Sequence, residues 1–217
     1  MGIRVAIADD HGVVIDGVSM VVERNAEDIE IVYKCNNGKE MLKYAKAAHV
    51  DVYILDISMP VLNGIETAMR LSRQRPESGI IILSMHDERS FVEKALTSGV
   101  RGYVLKESAT EEIIDAIRAV YSGGTFLSDS VAKYLQPGFR GRNSQYARED
   151  KWIDLTRKER EVLQLIAEGS SNREIAETMS LSVNTIHVHR NNIMRKLGIH
   201  KQADLIRYAI KEGISAL

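Results

Sequence analysis

The first half of the chain alternates short apolar runs with segments of helical period, and this alternation limits its fold more than any other feature. Five runs rich in Ile and Val have the length of buried strands: residues 3–8, 29–33, 52–55, 80–84 and 102–105. Each precedes a segment whose apolar residues recur near i, i+3, i+4 and i+7, at 13–24, 39–48, 65–75, 90–98 and 111–121. Strands that are apolar on both faces and joined by helices form a covered parallel sheet. We therefore predict an α/β unit with five βα repeats and a five-stranded parallel sheet.

Ser or Thr followed three residues later by Glu supports several helix starts, because the two residues can form a reciprocal capping box. The pairs are Ser90 and Glu93, Ser108 and Glu111, Thr156 and Glu159, and Ser171 and Glu174. The last two belong to a second half in which four helices are predicted, at 157–167, 172–179, 183–197 and 201–212. From residue 154 onward there is no β-rich run and no proline.

The charge of the chain changes sign along its length. The 217 residues carry 29 Lys and Arg against 30 Asp and Glu, a net charge of −1. Residues 1–135 hold 15 basic against 20 acidic residues, a net of −5, whereas residues 136–217 hold 14 against 10, a net of +4. Such asymmetry indicates an acidic module joined to one that binds a polyanion.

The segment between the two halves has the composition of a linker. Residues 136–150 contain Pro, Gly, Asn and Ser and show no apolar period, and unstructured loops of this length are uncommon inside compact domains. A long surface loop within one domain is the alternative. We divide the chain into one domain at 1–125, a helical extension and flexible linker at 126–151, and a second domain at 152–217.

Composition excludes several classes of protein. Hydrophobic residues make up 44% of the chain, yet no run approaches the roughly 18 apolar residues of a membrane span, and no secretory leader precedes the first strand. We expect a soluble, cytoplasmic protein without a membrane partner. Cys35 is the only cysteine, so one chain can form neither an internal disulfide nor a cysteine-based zinc site.

Polar residues with complementary chemistry follow four of the predicted strands. Asp9 and Asp10 end the first strand, Asp56 the third, Ser84 the fourth, and Lys106 the fifth. These strand ends share one edge of a parallel sheet, where three carboxylates repel one another unless a cation such as Mg²⁺ intervenes. Aspartate can accept a phosphoryl group, and a lysine can hold the transferred oxygens. Any one of these residues alone would be an ordinary loop residue or helix cap, but together they favour a phosphoryl-transfer site.

The motifs around these residues resemble the receiver domain of bacterial two-component response regulators over about the first 125 residues. They are Asp-Asp-His at 9–11, Asp-Ile-Ser-Met-Pro-Val-Leu-Asn-Gly at 56–64, Ser84, and Tyr-Val-Leu-Lys at 103–106. The resemblance implies a flavodoxin-like fold and phosphorylation of Asp56 by a sensor histidine kinase. It further implies a Mg²⁺ ion held by Asp10, Asp56 and the carbonyl of Ser58, with Asp9 helping directly or through a water molecule.

The same resemblance assigns switch roles to three residues. Lys106 would contact the phosphoryl group, Ser84 would turn its hydroxyl toward it, and Tyr103 would change rotamer in step. Taken alone, Ser84 and Tyr103 fit a capping hydroxyl and a half-buried aromatic almost as well. Many receivers have proline after the lysine, whereas Glu107 stands here.

The middle pair of helices in the second half is separated only by residues 180–182, as in a helix-turn-helix, although an αα-hairpin has the same spacing. The pattern of the second helix predicts a core face and a polar outer face. Ile186, Ile193 and Leu197 point inward, which leaves outward Asn184, His187, Val188, Asn191, Asn192 and Arg195. No Asp or Glu occurs from 181 to 202, where Arg190, Arg195, Lys196 and Lys201 supply positive charge for phosphates. Side-chain amides can bind adenine edges, and Val188 can contact a thymine methyl.

Residues 155–163, 171–176 and 183–197 resemble the LuxR-type DNA-binding domain, and the two halves together resemble the NarL/FixJ family of response regulators. The resemblance implies base contacts from His187, Val188 and Asn191, and DNA-backbone contacts from Arg190 and Arg195. It also implies dimerisation through the last helix, with Leu205, Tyr208 and Ala209 as candidates. Core packing explains these three residues equally well.

The resulting hypothesis is a transcription regulator, not an enzyme: phosphorylation of Asp56 releases or dimerises a domain that binds double-stranded DNA. Because +4 is a modest charge, we expect the monomer to bind DNA weakly and a homodimer to be the active form. An aspartyl-phosphate hydrolase is less consistent with the sequence, since such enzymes carry Asp-x-Asp where Ser58 stands here. An adaptor with a phosphorylation-independent receiver is the third possibility.

Overall fold

The structure is a computed structural model that describes residues 2–133 and 155–215. The chain divides into two compact units between residues 139 and 140. The proposed linker at 136–150 and the start of the second domain at 152–154 lie outside the described residues. No helix in the described part of the chain has both the length and the apolar character needed to cross a bilayer.

The first unit is built on a parallel sheet of six strands. Its strands are β1 (Ile3–Ala8), β2 (Ile29–Cys35), β3 (Val52–Asp56), β4 (Gly79–Ser84), β5 (Gly102–Leu105) and β6 (Phe126–Leu127). Their order is β2-β1-β3-β4-β5-β6, and all pairs are parallel. The order of the first five is that of a flavodoxin-like doubly wound sheet. The four central strands β1, β3, β4 and β5 are almost entirely buried, as expected for a sheet covered on both faces.

Helices follow each of the first five strands. They are α1 (Gly12–Asn25), α2 (Gly38–Ala47), α3 (Gly64–Gln74), α4 (Arg89–Thr97) and α5 (Ala109–Tyr121). α1 packs against α5, and α2 packs against α3, which also contacts α4. One apolar core joins Ile and Val side chains of the sheet to α1 and α5, with Val22 and Ile117 fully buried in it.

The prediction of five strands was wrong by one. Phe126–Leu127 pairs with β5 at Gly102 and Tyr103, so the sheet continues past residue 125 into the segment predicted to be a helical extension. A short helix, α6 (Asp129–Ala132), follows. Ser128 joins β6 to the sheet, because its backbone N–H donates to the carbonyl of Tyr103 and its hydroxyl accepts from the N–H of Leu105. Two residues carry no period, so only these long-range bonds identify the strand.

The second unit contains four helices among its described residues, as predicted: α7 (Arg157–Ala167), α8 (Asn172–Met179), α9 (Val183–Leu197) and α10 (Gln202–Lys211). Their buried faces form one apolar core around Val162, Ile175, Ile186, Ile193 and Leu205. Residues 180–182 separate α8 from α9, and Ser180 takes the left-handed conformation, with φ 54°, that ends α8. This is the predicted helix-turn-helix arrangement.

The capping boxes form in the second unit but not in the first. Thr156 with Glu159 and Ser171 with Glu174 each make both reciprocal hydrogen bonds. The prediction for Ser90 was wrong because α4 begins earlier, with Glu88 as its N-cap. At Ser108 the helix start was predicted correctly, since Ser108 is the N-cap of α5, but the box does not form. Residues Lys106–Ser108 already form a 3₁₀ turn, so Ser108 lacks the extended backbone of a capping residue.

Candidate functional site

The carboxyl edge of the sheet brings together three aspartates and a histidine. Ligand atoms of Asp9, Asp10, His11 and Asp56 all lie within 4.8 Å of one another. Asp9 and Asp56 are buried, whereas Asp10 and His11 are exposed, so the cluster has a closed floor and an open side. Because β1 and β3 are adjacent parallel strands, their ends deliver these side chains to the same place.

Lys106 occupies the same edge. Its Nζ lies 2.7 Å from Oδ2 of Asp9 and 3.1 Å from Oδ1 of Asp56, and its side chain is only 9% exposed. The 3₁₀ turn that begins at Lys106 stands where a proline follows the lysine in many receivers, and the lysine still reaches both carboxylates with Glu107 as its neighbour. One buried ammonium therefore joins two of the three aspartates.

The surroundings of Asp56 raise its pKa above the usual range of an aspartate. Burial raises its pKa, the neighbouring Asp9 raises it further, and Lys106 lowers it, with a net pKa of about 6. Oδ2 of Asp56 is buried and has no hydrogen-bond partner among the described residues. Leaving such an oxygen unpaired is costly in a folded protein, so the atom is available to a cation or a covalent partner.

The loop after β3 is folded back against the site. The N–H of Gly64 donates to the carbonyl of Ile57, and a Cβ at Gly64 would lie 2.0 Å from the carbonyl oxygen of Asp56, so only glycine fits. Val61 takes a left-handed backbone, with φ 67°, which is unusual for a β-branched residue. Ser58 lies half-buried in this loop, two residues after Asp56, and its role as a carbonyl ligand stays a prediction.

Ser84 and Tyr103 both bind the backbone of His86. The hydroxyl of Ser84 accepts from the N–H of His86 at 3.0 Å, and the hydroxyl of Tyr103 donates to the carbonyl of the same residue at 2.6 Å. Both side chains are fully buried, and burial is the main reason that the pKa of Tyr103 is raised. The His86 ring stacks on Phe91 of α4 with centroids 4.1 Å apart. The loop between β4 and α4 is thus held from both sides.

In the second unit, the outward face of α9 is exposed where the sequence predicts DNA contacts. His187, Val188 and Asn191 are exposed, with 57% of Val188 accessible, while Ile186 is buried in the core. Large exposed apolar side chains are uncommon in this unit, and Val183, at the start of the same helix, is another. The predicted core and outer faces of α9 are therefore separated as the period requires.

The two predicted backbone-contacting arginines differ in their surroundings. Arg195 is exposed. Among the described residues, its guanidinium donates only to Oδ1 of Asn192, on its own helix. Arg190 is half-buried and binds two other helices: Nη1 donates to Oδ1 of Asn172 at 2.7 Å, and Nη2 donates to Oε1 of Gln202 at 3.1 Å. Neither Asn172 nor Gln202 could be identified from the sequence, because long-range side-chain pairs leave no periodic signal.

Two of the three dimerisation candidates need correction. Leu205 and Ala209 are fully buried in the core of the second unit, so neither side chain is available to a second chain, and the core-packing alternative describes them. Tyr208 is half-buried beside the same core and remains a candidate. His11 is a further member of the acidic cluster that the sequence pattern did not single out: its Nδ1 lies 2.7 Å from Oδ1 of Asp10 and 3.2 Å from Oδ1 of Asp9. Its position directly after the two acids was the available signal.

Comparison with known proteins gives matches to both units. Residues 5–118 match the response regulator receiver domain, and residues 154–209 match the bacterial regulatory proteins of the luxR family. The transcriptional regulatory protein MctR of Rhizobium johnstonii is 37% identical over 212 residues, covering 98% of this chain and 95% of that protein.

Solved structures of the response regulator RcsB are also similar. RcsB of Salmonella enterica serovar Typhimurium, bound to the promoter rprA in the presence of a phosphomimetic, is 29% identical with a TM-score of 0.57, over 95% of this chain and 98% of that one. A structure of two RcsB dimers bound to two parallel DNAs is 29% identical with a TM-score of 0.59, over 96% and 98% of the respective chains. With both units matched and both domain types in the predicted order, the chain belongs to the NarL/FixJ family of response regulators, which pair a receiver domain with a LuxR-type DNA-binding domain.

Proposed function

We propose that Asp56 is the phosphoryl acceptor of this response regulator. The observation that carries the proposal is the buried Asp56 carboxylate, which has one oxygen 3.1 Å from Lys106 Nζ and the other without a hydrogen-bond partner among the described residues. A carboxylate attacks in its ionised form, and a pKa of about 6 leaves most of Asp56 ionised at neutral pH.

We propose that the donor is the phosphohistidine of a sensor histidine kinase. A carboxylate oxygen of Asp56 forms the new P–O bond while the P–N bond to histidine breaks, and the departing imidazole nitrogen keeps the electron pair. Lys106 is already in place to neutralise negative charge on the transferred oxygens. His11, which is exposed beside the acids, lies at the open side from which a donor must approach.

The donor set fits Mg²⁺. Asp9, Asp10 and Asp56 offer hard oxygen atoms within one small cluster, and the unpartnered Oδ2 of Asp56 is the kind of buried oxygen that a cation satisfies. These three carboxylates, with the carbonyl of Ser58, are the residues that would hold the ion. When bound, the ion supplies charge neutralisation between the carboxylates and the phosphoryl oxygens.

We propose that Ser84 and Tyr103 carry the signal away from Asp56. Because both hydroxyls bind the backbone of His86, a Ser84 hydroxyl drawn toward a phosphoryl group would release one side of the loop between β4 and α4. Tyr103 then loses a fixed acceptor and can change rotamer. The switch is thus a local exchange of hydrogen bonds with an effect on the neighbouring helix.

We propose that α9 enters the major groove of DNA and that the active protein is a homodimer on paired half-sites. The exposed His187, Val188 and Asn191 suit base edges, and Arg195 suits a phosphate. The similar protein RcsB has been solved on promoter DNA and as DNA-bound dimers. We keep the proposed division at 1–125, 126–151 and 152–217, amended by β6, which belongs to the receiver sheet.

Incubation with a small acyl phosphate donor and Mg²⁺ tests the acceptor directly. Intact mass should show one added phosphoryl group on the parent protein and none on Asp56→Asn, while Asp16→Asn, an exposed acid on α1, should label like the parent. Labelling of Asp56→Asn to the same extent would refute the assignment. Turnover of small phosphomonoesters would favour a hydrolase, and the absence of DNA binding at any salt concentration would favour an adaptor.

A further inference from the structure

Arg190 lies at the junction of three helices of the DNA-binding unit. It stands in the middle of α9, and its guanidinium donates to Asn172 and Gln202, at 2.7 and 3.1 Å. Asn172 and Gln202 are the first residues of α8 and α10. A single planar group therefore ties the start of both neighbouring helices to the helix proposed to enter the groove.

The chemistry of these contacts differs from that of a phosphate-binding arginine. A guanidinium presents a rigid fork of donors, and here two arms of the fork are used by neutral amide oxygens within the protein. The side chain is also half-buried, whereas Arg195 is exposed and bonds a residue of its own helix. These bonds use two of the five N–H donors of Arg190, and while both persist the guanidinium is held between Asn172 and Gln202.

The contacts of Arg190 extend to a proposed base-contacting residue. Nδ2 of Asn172 lies 3.4 Å from Nε2 of His187. Because Arg190 occupies Oδ1 of Asn172, the amide must turn its NH₂ group toward the ring, so Nε2 of His187 acts as the acceptor. Arg190 thereby fixes the orientation of Asn172, and Asn172 in turn restrains His187.

We propose that Arg190 is a positioning residue for DNA recognition: it holds α8, α9 and α10 together and orients His187 through Asn172, rather than neutralising a phosphate. This inference rests on the proposed DNA-binding function and replaces the DNA-backbone contact that the resemblance to LuxR-type domains implies for Arg190. The preference of the protein for one DNA sequence over another therefore depends on Arg190 more than its electrostatic attraction to DNA does.

The test measures DNA affinity over a salt series with the full chain. The probes are a duplex selected by the parent protein from a random-sequence library and a scrambled duplex of equal length. Each phosphate neutralised by a cationic side chain contributes about 0.9 to the slope of log affinity against log salt. We expect Arg190→Gln to weaken binding to the selected duplex about tenfold, to leave the slope unchanged and to lower the preference over the scrambled duplex. The matched control Arg195→Gln should reduce the magnitude of the slope by about 0.9 and weaken binding to both duplexes alike.

Two further variants separate positioning from charge. Arg190→Lys keeps the charge but not the fork, so it should bind like Arg190→Gln. Gln202→Ala keeps the arginine and removes one of its acceptors, so it should also lower the preference for the selected duplex. If circular dichroism shows that Arg190→Gln does not fold, Gln202→Ala alone provides the test. Three results would each overturn the inference. They are a parent-like preference for the selected duplex in Gln202→Ala, parent-like binding in Arg190→Lys, and a slope whose magnitude falls by about 0.9 in Arg190→Gln. A parent protein that selects no duplex would instead refute the proposed DNA-binding function.

Discussion

Nζ of Lys106 lies 3.1 Å from Oδ1 of Asp56, so the proposed phosphoryl acceptor is paired with a cation before any phosphoryl group is present. The same ammonium contacts Asp9 at 2.7 Å. Removing the cation that pairs with a buried carboxylate strongly destabilises the folded protein, because the remaining charge is buried without solvation. Lys106 therefore stabilises the unphosphorylated receiver as well as the phosphorylated one.

Replacing Lys106 with Gln should lower the free energy of unfolding of the receiver by about 3 kcal/mol at pH 7, since Asp9 and Asp56 are then buried without their cation. Urea unfolding followed by circular dichroism measures the change. Lys46→Gln, at an exposed position on α2, is the matched control and should stay within about 0.5 kcal/mol of the parent. Mg²⁺ should restore part of the loss in Lys106→Gln. Equal stability of the two variants would contradict a buried ion pair.

The raised pKa of Asp56 predicts a pH dependence of stability. The folded receiver holds this proton up to a pH of about 6, whereas the unfolded chain releases it near 3.8, the ordinary pKa of an aspartate. Between these values the folded state binds more protons, so stability falls as pH rises through the window. The stability that the folded protein gains from binding this proton is complete below pH 3.8 and lost above pH 6. It amounts to about 3 kcal/mol at most.

Asp56→Asn removes this titration, so without divalent cations the variant should be more stable than the parent at pH 7.5. The difference should shrink at pH 4.5, where Asp56 of the parent is largely protonated. Unfolding free energies at the two pH values measure it, with Asp16→Asn as the exposed control. A difference that does not change with pH would show that burial of the Asp56 charge is not what destabilises the parent.

Tyr103→Phe removes the hydroxyl that binds the His86 carbonyl at 2.6 Å, and this should cost about 1 kcal/mol of stability. If the bond is part of the switch, phosphoryl uptake at Asp56 persists while the gain in DNA affinity on activation falls. Mass spectrometry and fluorescence anisotropy report the two effects separately. Tyr121→Phe, half-exposed at the end of α5, is the control. A full gain in affinity with Tyr103→Phe would remove the tyrosine from the switch.

The second unit has a partly buried ion pair. Nζ of Lys196 donates to Oε2 of Glu159 at 2.7 Å, joining α9 to the first turn of α7. Burial favours a higher pKa for Glu159, but bonds from Lys196 and the N–H of Thr156 outweigh it, and the pKa is lowered. Lys196→Met should therefore destabilise this unit by about 1–3 kcal/mol at pH 7, measured by thermal unfolding. The effect should diminish as pH falls from 4.5 through the lowered pKa of Glu159. A loss whose size does not decrease over this acid range would argue for packing instead.

Much of the fold could be predicted because the local patterns agree with the long-range packing. Central strands buried on both faces must be apolar throughout, so β1, β3, β4 and β5 were recognisable from sequence. The strand β6 was not, since two residues have no period and depend on backbone bonds to β5. Capping boxes were predicted correctly only where the preceding backbone is extended, as at Thr156 and Ser171.

The acidic cluster could be predicted for a topological reason, because adjacent parallel strands end at one edge and bring Asp9 close to Asp56. Helical period could separate the buried Ile186 from the exposed Val188 in the same way. It could not show that Leu205 belongs to the core rather than to a dimer surface, since both roles need an apolar residue at that position. Nor could it identify the partners of Arg190, which lie 18 and 12 residues away on other helices.

The most direct test of the account is the affinity of the full chain for its selected duplex, with Mg²⁺ alone and with Mg²⁺ plus beryllofluoride, a phosphoryl mimic. Fluorescence anisotropy of the parent should show binding at least about fivefold tighter with the mimic, and Asp56→Asn should show no change. If the parent binds equally with and without the mimic, or if Asp56→Asn tightens as the parent does, phosphorylation of Asp56 does not control DNA binding in this protein.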